Sequence, residues 1–257
     1  MLRHERLNAV LDLLVARGSL SVEDIADVFG VSASTVRRDL DDLASQQLIA
    51  RTRGGAAAHV VTYDLPLRYK SVRHPDEKRR IAAAAAAHVP PGAIVGINGG
   101  TTTTEVARAI AAGASGVDGG ITVVTNALNI ANELTVRPSI KIVVVGGVVR
   151  PRSFELVGPL ANRLLDDLSL DVMFLGVDGL SPDDGAAAAH EGEAEINRTM
   201  VMRARRVVAV ADSSKLGARA FCKICDVSAL DLLITDGGAD PDLVSRFEQL
   251  GVEVQIG

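Results

Sequence analysis

Between Ser21 and Gly55 the chain reads SVEDIADVFGVSASTVRRDLDDLASQQLIARTRGG, a succession of helical periodicity and turn chemistry that few folds accommodate. Val22, Ile25, Ala26 and Phe29 fall on one face at the spacing of an amphipathic helix. Ser21 stands at the N-cap position, and Asp24 three residues on completes a capping box. Gly30 ends this helix and Ser32 caps the next, in which Val36, Leu40 and Leu43 recur at i, i+4 and i+7. Burying those three turns Ser34, Thr35, Arg37 and Arg38 outward or to the flank. An earlier helix has Leu7, Val10, Leu11 and Leu14 on one side. After Leu48, the residues Arg51, Arg53, Gly54 and Gly55 suit a β-wing, whose glycines permit a sharp return of the backbone. The pattern predicts a winged helix-turn-helix domain over residues 1–57, small but feasible as an independent unit.

An outward helix face of this composition matches the major groove of duplex DNA. Arg forks onto guanine O6 and N7, while Ser and Thr hydroxyls reach phosphates or base edges. Ser32, Ser34, Thr35, Arg37 and Arg38, with Arg51 and Arg53 of the wing, are the candidate DNA contacts. Net charge does not decide the matter: residues 1–57 hold seven Arg against eight acids, a balance of 7 − 8 = −1. Local clustering counts for more, because four of the seven Arg lie on the second helix and the wing. Periodicity and charge alone leave open a three-helix scaffold whose charged face is merely solvated.

Residues 58–75 show no sustained period, contain Pro66 and Pro75, and read as a linker. Asp76 is the expected N-cap of an Ala-rich helix ending near His88. From there apolar runs alternate with helical stretches and glycines, as in a parallel sheet covered on both faces. The expected strands are Ala93 to Ile97, Thr122 to Thr125, Lys141 to Gly146, Val172 to Val177, Val207 to Ala211, Leu232 to Thr235 and Val252 to Gln255. Residues 76–257 therefore form a Rossmann-like α/β domain.

The loops of that domain carry its chemistry. In INGGTTTTEVARAI a strand runs through Asn98, Gly99 and Gly100 into four threonines and a helix from about Thr103. Glycines admit a ligand close to the backbone, hydroxyls add donors, and a helix N-terminus offers free amides with partial positive charge, a combination suited to phosphate. Neither a Walker loop nor a GxGxxG fingerprint is present, so no ATP or NAD cofactor is expected. Other strand ends also finish in small polar residues: Thr125 and Asn126, Gly147 and Arg150, Asp178, and Asp212 with Lys215. In an open α/β sheet such ends converge on one ligand crevice. Asn98, Gly100, Thr101, Thr102, Thr125, Asn126, Gly147, Arg150, Asp178 and Lys215 describe a site for a phosphorylated sugar.

On these residues the chain resembles the DeoR family of bacterial transcriptional regulators. The resemblance rests on TVRRDL (Thr35 to Leu40), the spaced Leu43 and Leu48, the arginine-then-GGA ending at Ala56, and the loop blocks of the second domain. It implies operator DNA and a phosphorylated sugar effector as partners, repression relieved by the effector, a homodimer or homotetramer, and Glu193 as a further effector contact within EGEAEINRTM, where Arg198 and Met200 also follow the family pattern. The loops are also similar to those of sugar-phosphate isomerases. Family members commonly begin the threonine loop with Asp, where this chain has Asn98. A second reading makes the α/β domain an isomerase with a DNA-binding appendage, for which Glu193, Asp178 or Asp212 would serve as the general base.

Composition sets outer bounds. The 257 residues leave room for one small and one larger domain, at 47% hydrophobic and 23% charged content, ordinary for a globular chain. No apolar run reaches membrane-spanning length, and the charged, helical N-terminus lacks a cleavage site, so the expected location is the cytoplasm. Cys222 and Cys225 form one CxxC, too few soft ligands for a zinc site, so no metal is expected; structural thiols fit better than a redox pair.

Overall fold

The computed structural model describes residues 2–45, 48–58, 67–70, 73–114 and 120–257. They divide between two compact units, Met1–Val72 and Arg73–Gly257.

In the first unit α1 (Arg3–Arg17), α2 (Val22–Phe29) and α3 (Ala33–Ser45) pack beside a sheet of β1 (Ser19–Ser21), β2 (Ile49–Thr52) and β3 (Gly55–Ala58), ordered β1-β3-β2 and antiparallel throughout. The core joins Leu7, Val10, Leu11 and Leu14 of α1 to Val22 and Ile25 of α2 and to Val36, Leu40 and Leu43 of α3, the stripes the periodicity predicts. The capping box is present: Asp24 N donates to Ser21 Oγ at 3.0 Å, and Ser21 N donates to the Asp24 carboxylate at 3.2 Å. Gly30 adopts the left-handed conformation that stops α2. The two wing glycines serve different ends. Gly54 turns the hairpin at φ +87°, whereas a Cβ on Gly55 would overlap the Leu20 carbonyl oxygen of β1. Of the predicted linker, Leu67–Lys70 forms the short helix α4, and residues 59–66 and 71–72 lie outside the described residues.

The second unit opens with α5 (Pro75–Ala86), whose N-cap is His74 and not Asp76. Pro75 explains the shift, since its fixed φ and missing N–H suit the first helical position. Next come β4 (Ile94–Ile97), α6 (Thr101–Gly113), β5 (Ile121–Thr125), α7 (Leu128–Leu134) and β6 (Ile140–Val144). A hairpin of β7 (Val148–Arg150) and β8 (Glu155–Val157) leads to α8 (Pro159–Leu165) and β9 (Val172–Gly176). The chain continues through β10 (Gly179–Ser181), β11 (Gly185–Ala188), α9 (Glu191–Met202), β12 (Val207–Val210), β13 (Cys222–Cys225), β14 (Leu232–Thr235), α10 (Pro241–Gln249) and β15 (Glu253–Ile256).

Seven of these strands form one parallel sheet, ordered β15-β14-β12-β9-β4-β5-β6, and they are the seven expected from the apolar runs. Alternate side chains enter two cores. Val172 and Phe174 pack with α5, α6 and α7 on one face, while Met173 and Leu175 pack with α8, α9 and Phe247 of α10 on the other. Burial on both faces removes the polar alternation of a half-exposed strand. The winding reverses between β4 and β9, where the carboxyl ends of adjacent strands diverge into loops on opposite sides.

β10, β11 and β13 make a separate antiparallel sheet. Cys222 and Cys225, three residues apart on β13, are both free, partly buried thiols packed against the same apolar core. Burial, helped by the charge of Asp226, pushes the Cys225 thiol up to about 11. Among the described residues no helix is long and apolar enough to cross a membrane, and no three His, Cys, Asp or Glu side chains gather as a metal site.

Candidate functional site

The outer face of α3 begins in a hydroxyl cluster. Ser32 Oγ accepts from Thr35 N at 3.2 Å and lies 2.9 Å from both Ser34 Oγ and Thr35 Oγ1. Arg37 and Arg38 follow, exposed, with no acid engaging them among the described residues. The helix beneath them is held by a buried contact that the sequence pattern did not announce. Asp39, 3% exposed, accepts from Arg6 Nε at 2.7 Å and from Arg3 Nε at 3.4 Å, tying α3 to α1.

The wing arginines differ in their settings. Arg51 places Nε 3.0 Å from Asp41 and donates through Nη1 to the Gly55 carbonyl at 2.7 Å, so it braces the hairpin. Arg53, exposed beside Gly54 at the tip, has no such partner among the described residues.

In the second unit the turn after β4 lies at the reversal of winding. Asn98 is buried and spans it: Nδ2 donates to Gly176 O at 2.9 Å, and Gly176 N donates to Oδ1 at 2.8 Å. Its amide thus ties the ends of β4 and β9 together. Helix α6 begins at Thr101, two residues earlier than expected, with Gly100 (φ +150°) as its N-cap. Thr102, Thr103 and Thr104 are all buried, and Thr104 Oγ1 accepts from Asn129 Nδ2 at 3.0 Å while donating to Gly100 O at 2.6 Å. Three glycines frame this turn. A Cβ on Gly99 would come within 2.5 Å of the Glu155 carboxyl oxygen Oε1, one on Gly100 within 2.9 Å of Thr103 Oγ1, and one on Gly176 within 2.9 Å of Thr103 Cγ2.

The neighbouring strand end contributes Asn126, fully buried. Its Nδ2 donates to Glu155 Oε2 at 2.8 Å, and its Oδ1 has no hydrogen-bond partner. Thr103 Oγ1 is likewise buried without a partner. Thr125 turns inward, its hydroxyl accepting from Ala127 N at 3.1 Å. Gly147 (φ +136°) starts the β7–β8 hairpin, where a Cβ would press on the Val157 carbonyl at 2.7 Å. Arg150 donates to Glu193 Oε1 at 2.8 Å, both side chains nearly buried. Asp178 accepts from Ala189 N at 2.9 Å. Asp212 caps the 3-10 turn Ser213–Lys215, accepting from Ser214 N at 3.2 Å, and Lys215 is half-buried.

The loop residues expected from the sequence are thus all at the carboxyl ends of the sheet or on the adjoining hairpin and α9. Hydrogen bonds bring together Asn98 with β9 and Arg150 with Glu193; Thr125 and Gly147 serve local backbone turns. Sequence reasoning passed over Thr103 and Glu155. Thr103 stood inside a named threonine run, but only packing shows that its hydroxyl, unlike that of Thr104, lacks a partner. Glu155, between Phe154 and Leu156, carries no motif that marks it, yet it is 4% exposed.

A winged helix-turn-helix followed by a parallel α/β unit with polar residues gathered at its switch point defines a DNA-binding transcriptional regulator with a sensor domain. The chain belongs to the DeoR family: the DeoR-like helix-turn-helix domain matches residues 6–60, and the DeoR C terminal sensor domain matches residues 73–237. It is 37% identical over 258 residues to the HTH-type transcriptional regulator GlpR of Haloferax volcanii, covering 100% of this chain and 99% of that one. Identity is 34% with the HTH-type transcriptional repressor GlcR of Bacillus subtilis, over 100% and 97% of the two chains. It is 32% with the glycerol-3-phosphate regulon repressor of Escherichia coli, over 92% of each. Among solved structures, ribose 5-phosphate isomerase A from Methanocaldococcus jannaschii aligns at 17% identity and a TM-score of 0.42, over 55% of this chain and 54% of that one.

Proposed function

We propose that this regulator is a repressor of a carbohydrate-metabolism operon, released from its operator by a phosphorylated sugar or polyol bound at the turn after β4. The observation that carries the reading is the α6 N-terminus beside two buried, unpartnered polar atoms, Thr103 Oγ1 and Asn126 Oδ1, at the switch point of the sheet. Free helix amides hold a phosphate, and orphaned buried polar atoms await a ligand's hydroxyls. A relative that is a glycerol-3-phosphate regulon repressor agrees with this class of effector.

Ser32, Ser34, Thr35, Arg37 and Arg38 read the operator in this scheme, with Arg53 on a flanking phosphate. The protein works in the cytoplasm as at least a dimer, since a two-fold operator asks for two reading helices. It acts by binding and not by turnover. The three carboxylates weighed as general bases are committed elsewhere: Glu193 to Arg150, Asp178 to Ala189 N, and Asp212 to Ser214 N. Control requires the effector to bind one of two operator-binding states more tightly.

The test is a thermal-shift screen of the full chain against sugar and polyol phosphates, then footprinting with and without the hit. Replacing Thr101 and Thr102 with Val removes the ligand-induced shift and leaves effector-free footprinting as in the parent. Interconversion of pentose or hexose phosphates at ordinary turnover by the purified protein would sink the proposal.

A further inference from the structure

Glu155 has no assigned role, yet the fold spends a glycine on it. Its side chain lies against Gly99, the residue before the N-cap of α6, so closely that a Cβ there would come within 2.3 Å of Glu155 Cγ and force one of the two to shift. β8 delivers it by pairing the strand to the segment after β5: Leu156 N donates to Asn126 O at 2.7 Å, and Leu128 N donates to Phe154 O at 3.0 Å. The Asn126 amide is oriented by two acceptors, since Nδ2 faces both Glu155 Oε2 at 2.8 Å and Leu156 O at 3.4 Å. Its Oδ1 therefore points away from them, buried and unpartnered.

We infer that Glu155 is a specificity-determining residue that reads a hydroxyl of the effector, together with Asn126 Oδ1. The inference rests on the proposed phosphate position at the α6 N-terminus and deepens it. A carboxylate and an amide oxygen are both acceptors, so they select a hydroxyl donor and reject a bare alkyl carbon. Gly99 directly precedes the phosphate turn, so the reach from phosphate to Glu155 is short. The hydroxyl read is the one on the carbon next to the phosphoester carbon. A second phosphate in that place is excluded by like charge, which makes the effector a polyol or open-chain sugar monophosphate.

The experiment uses the full chain and two matched pairs of esters that differ only in this hydroxyl: glycerol 3-phosphate with 3-hydroxypropyl phosphate, and sorbitol 6-phosphate with its 5-deoxy analogue. Calorimetric titration of the wild type gives at least one hydroxylated ester binding about tenfold to a hundredfold tighter than its partner, the range set by one charge-assisted hydrogen bond. In Glu155→Gln, which keeps the size of the side chain and an acceptor for Asn126, that ratio falls severalfold. An unchanged ratio in a folded Glu155→Gln overturns the inference. So does a wild type that binds both members of each pair equally, a result that needs no variant. If no phosphate ester binds the wild type, the underlying reading of the site falls and takes this one with it.

Discussion

Arg6 on α1 and Asp39 on α3 meet at 2.7 Å with 11% and 4% of their side chains exposed. Asp39 directly follows the two outward arginines of α3, so the turn of helix that carries these proposed DNA contacts is fastened from behind. Breaking a buried pair from one side strands the other charge, at about 3–5 kcal/mol. Asp39→Ala therefore lowers the urea midpoint of the N-terminal transition sharply, while Asp42→Ala, whose Arg3 contact is exposed, changes it by about 0–1 kcal/mol. Equal effects of the two substitutions, followed by circular dichroism, would refute the buried-clamp account.

The two wing arginines separate binding from folding. Arg53→Ala weakens binding to any duplex and reduces the salt slope of log K by about one phosphate's worth. Arg51→Ala loosens the hairpin that Asp41 and the Gly55 carbonyl hold, and shows first as lower thermal stability. Fluorescence anisotropy across a salt series, beside melting curves, distinguishes them; identical profiles for both variants contradict the division of labour.

Asn98→Asp is nearly isosteric yet trades a donor for an acceptor opposite the Gly176 carbonyl. One hydrogen bond is lost and two oxygens face each other, at a cost of about 1–3 kcal/mol. The variant melts below the parent at neutral pH, even though Asp is the residue commonly found at this place in the resembling family. A melting temperature equal to the parent's means that the Gly176 peptide reorients without cost.

Asp236, just beyond β14, accepts from Ser213 N at 2.6 Å, Gly238 N at 2.9 Å and Ser213 Oγ at 3.0 Å. Burial works to raise its carboxyl, but those hydrogen bonds outweigh it and hold it below the usual carboxylate range. A depressed folded pKa contributes stability that is complete above the unfolded value near ~4 and fades as pH drops through the folded value. Asp236→Asn is consequently less stable than the parent at pH 7, and the gap narrows toward about pH 3. Denaturant midpoints at several pH values check this, and a gap that widens in acid has the wrong sign.

Much of the architecture was legible because the relevant residues are constrained locally. The five inner strands of the sheet, β14, β12, β9, β4 and β5, are apolar runs since both their faces are largely covered, and Ser21, Gly30 and Ser32 announce helix ends through chemistry confined to three or four neighbours. What escaped is set by distant partners. β1 and β7 have three residues each, too few for a period, and β11 is GAAA, a sequence with low strand preference that is kept extended by pairing on both sides. The same holds in the site. The Gly-Thr turn declared itself, whereas the engagement of Asn98 by Gly176 and of Glu155 by Asn126 depends on residues 78 and 29 positions away.

The β7–β8 hairpin sets Arg150 opposite Glu155 in register, the former fastened to Glu193 on α9 and the latter to Asn126 after β5. Those anchors lie on opposite sides of the divide at which the sheet changes its direction of winding. A ribbon gripped in this way behaves as a clasp. The clasp joins the two halves of the sensor beside the turn at which the effector is proposed to bind.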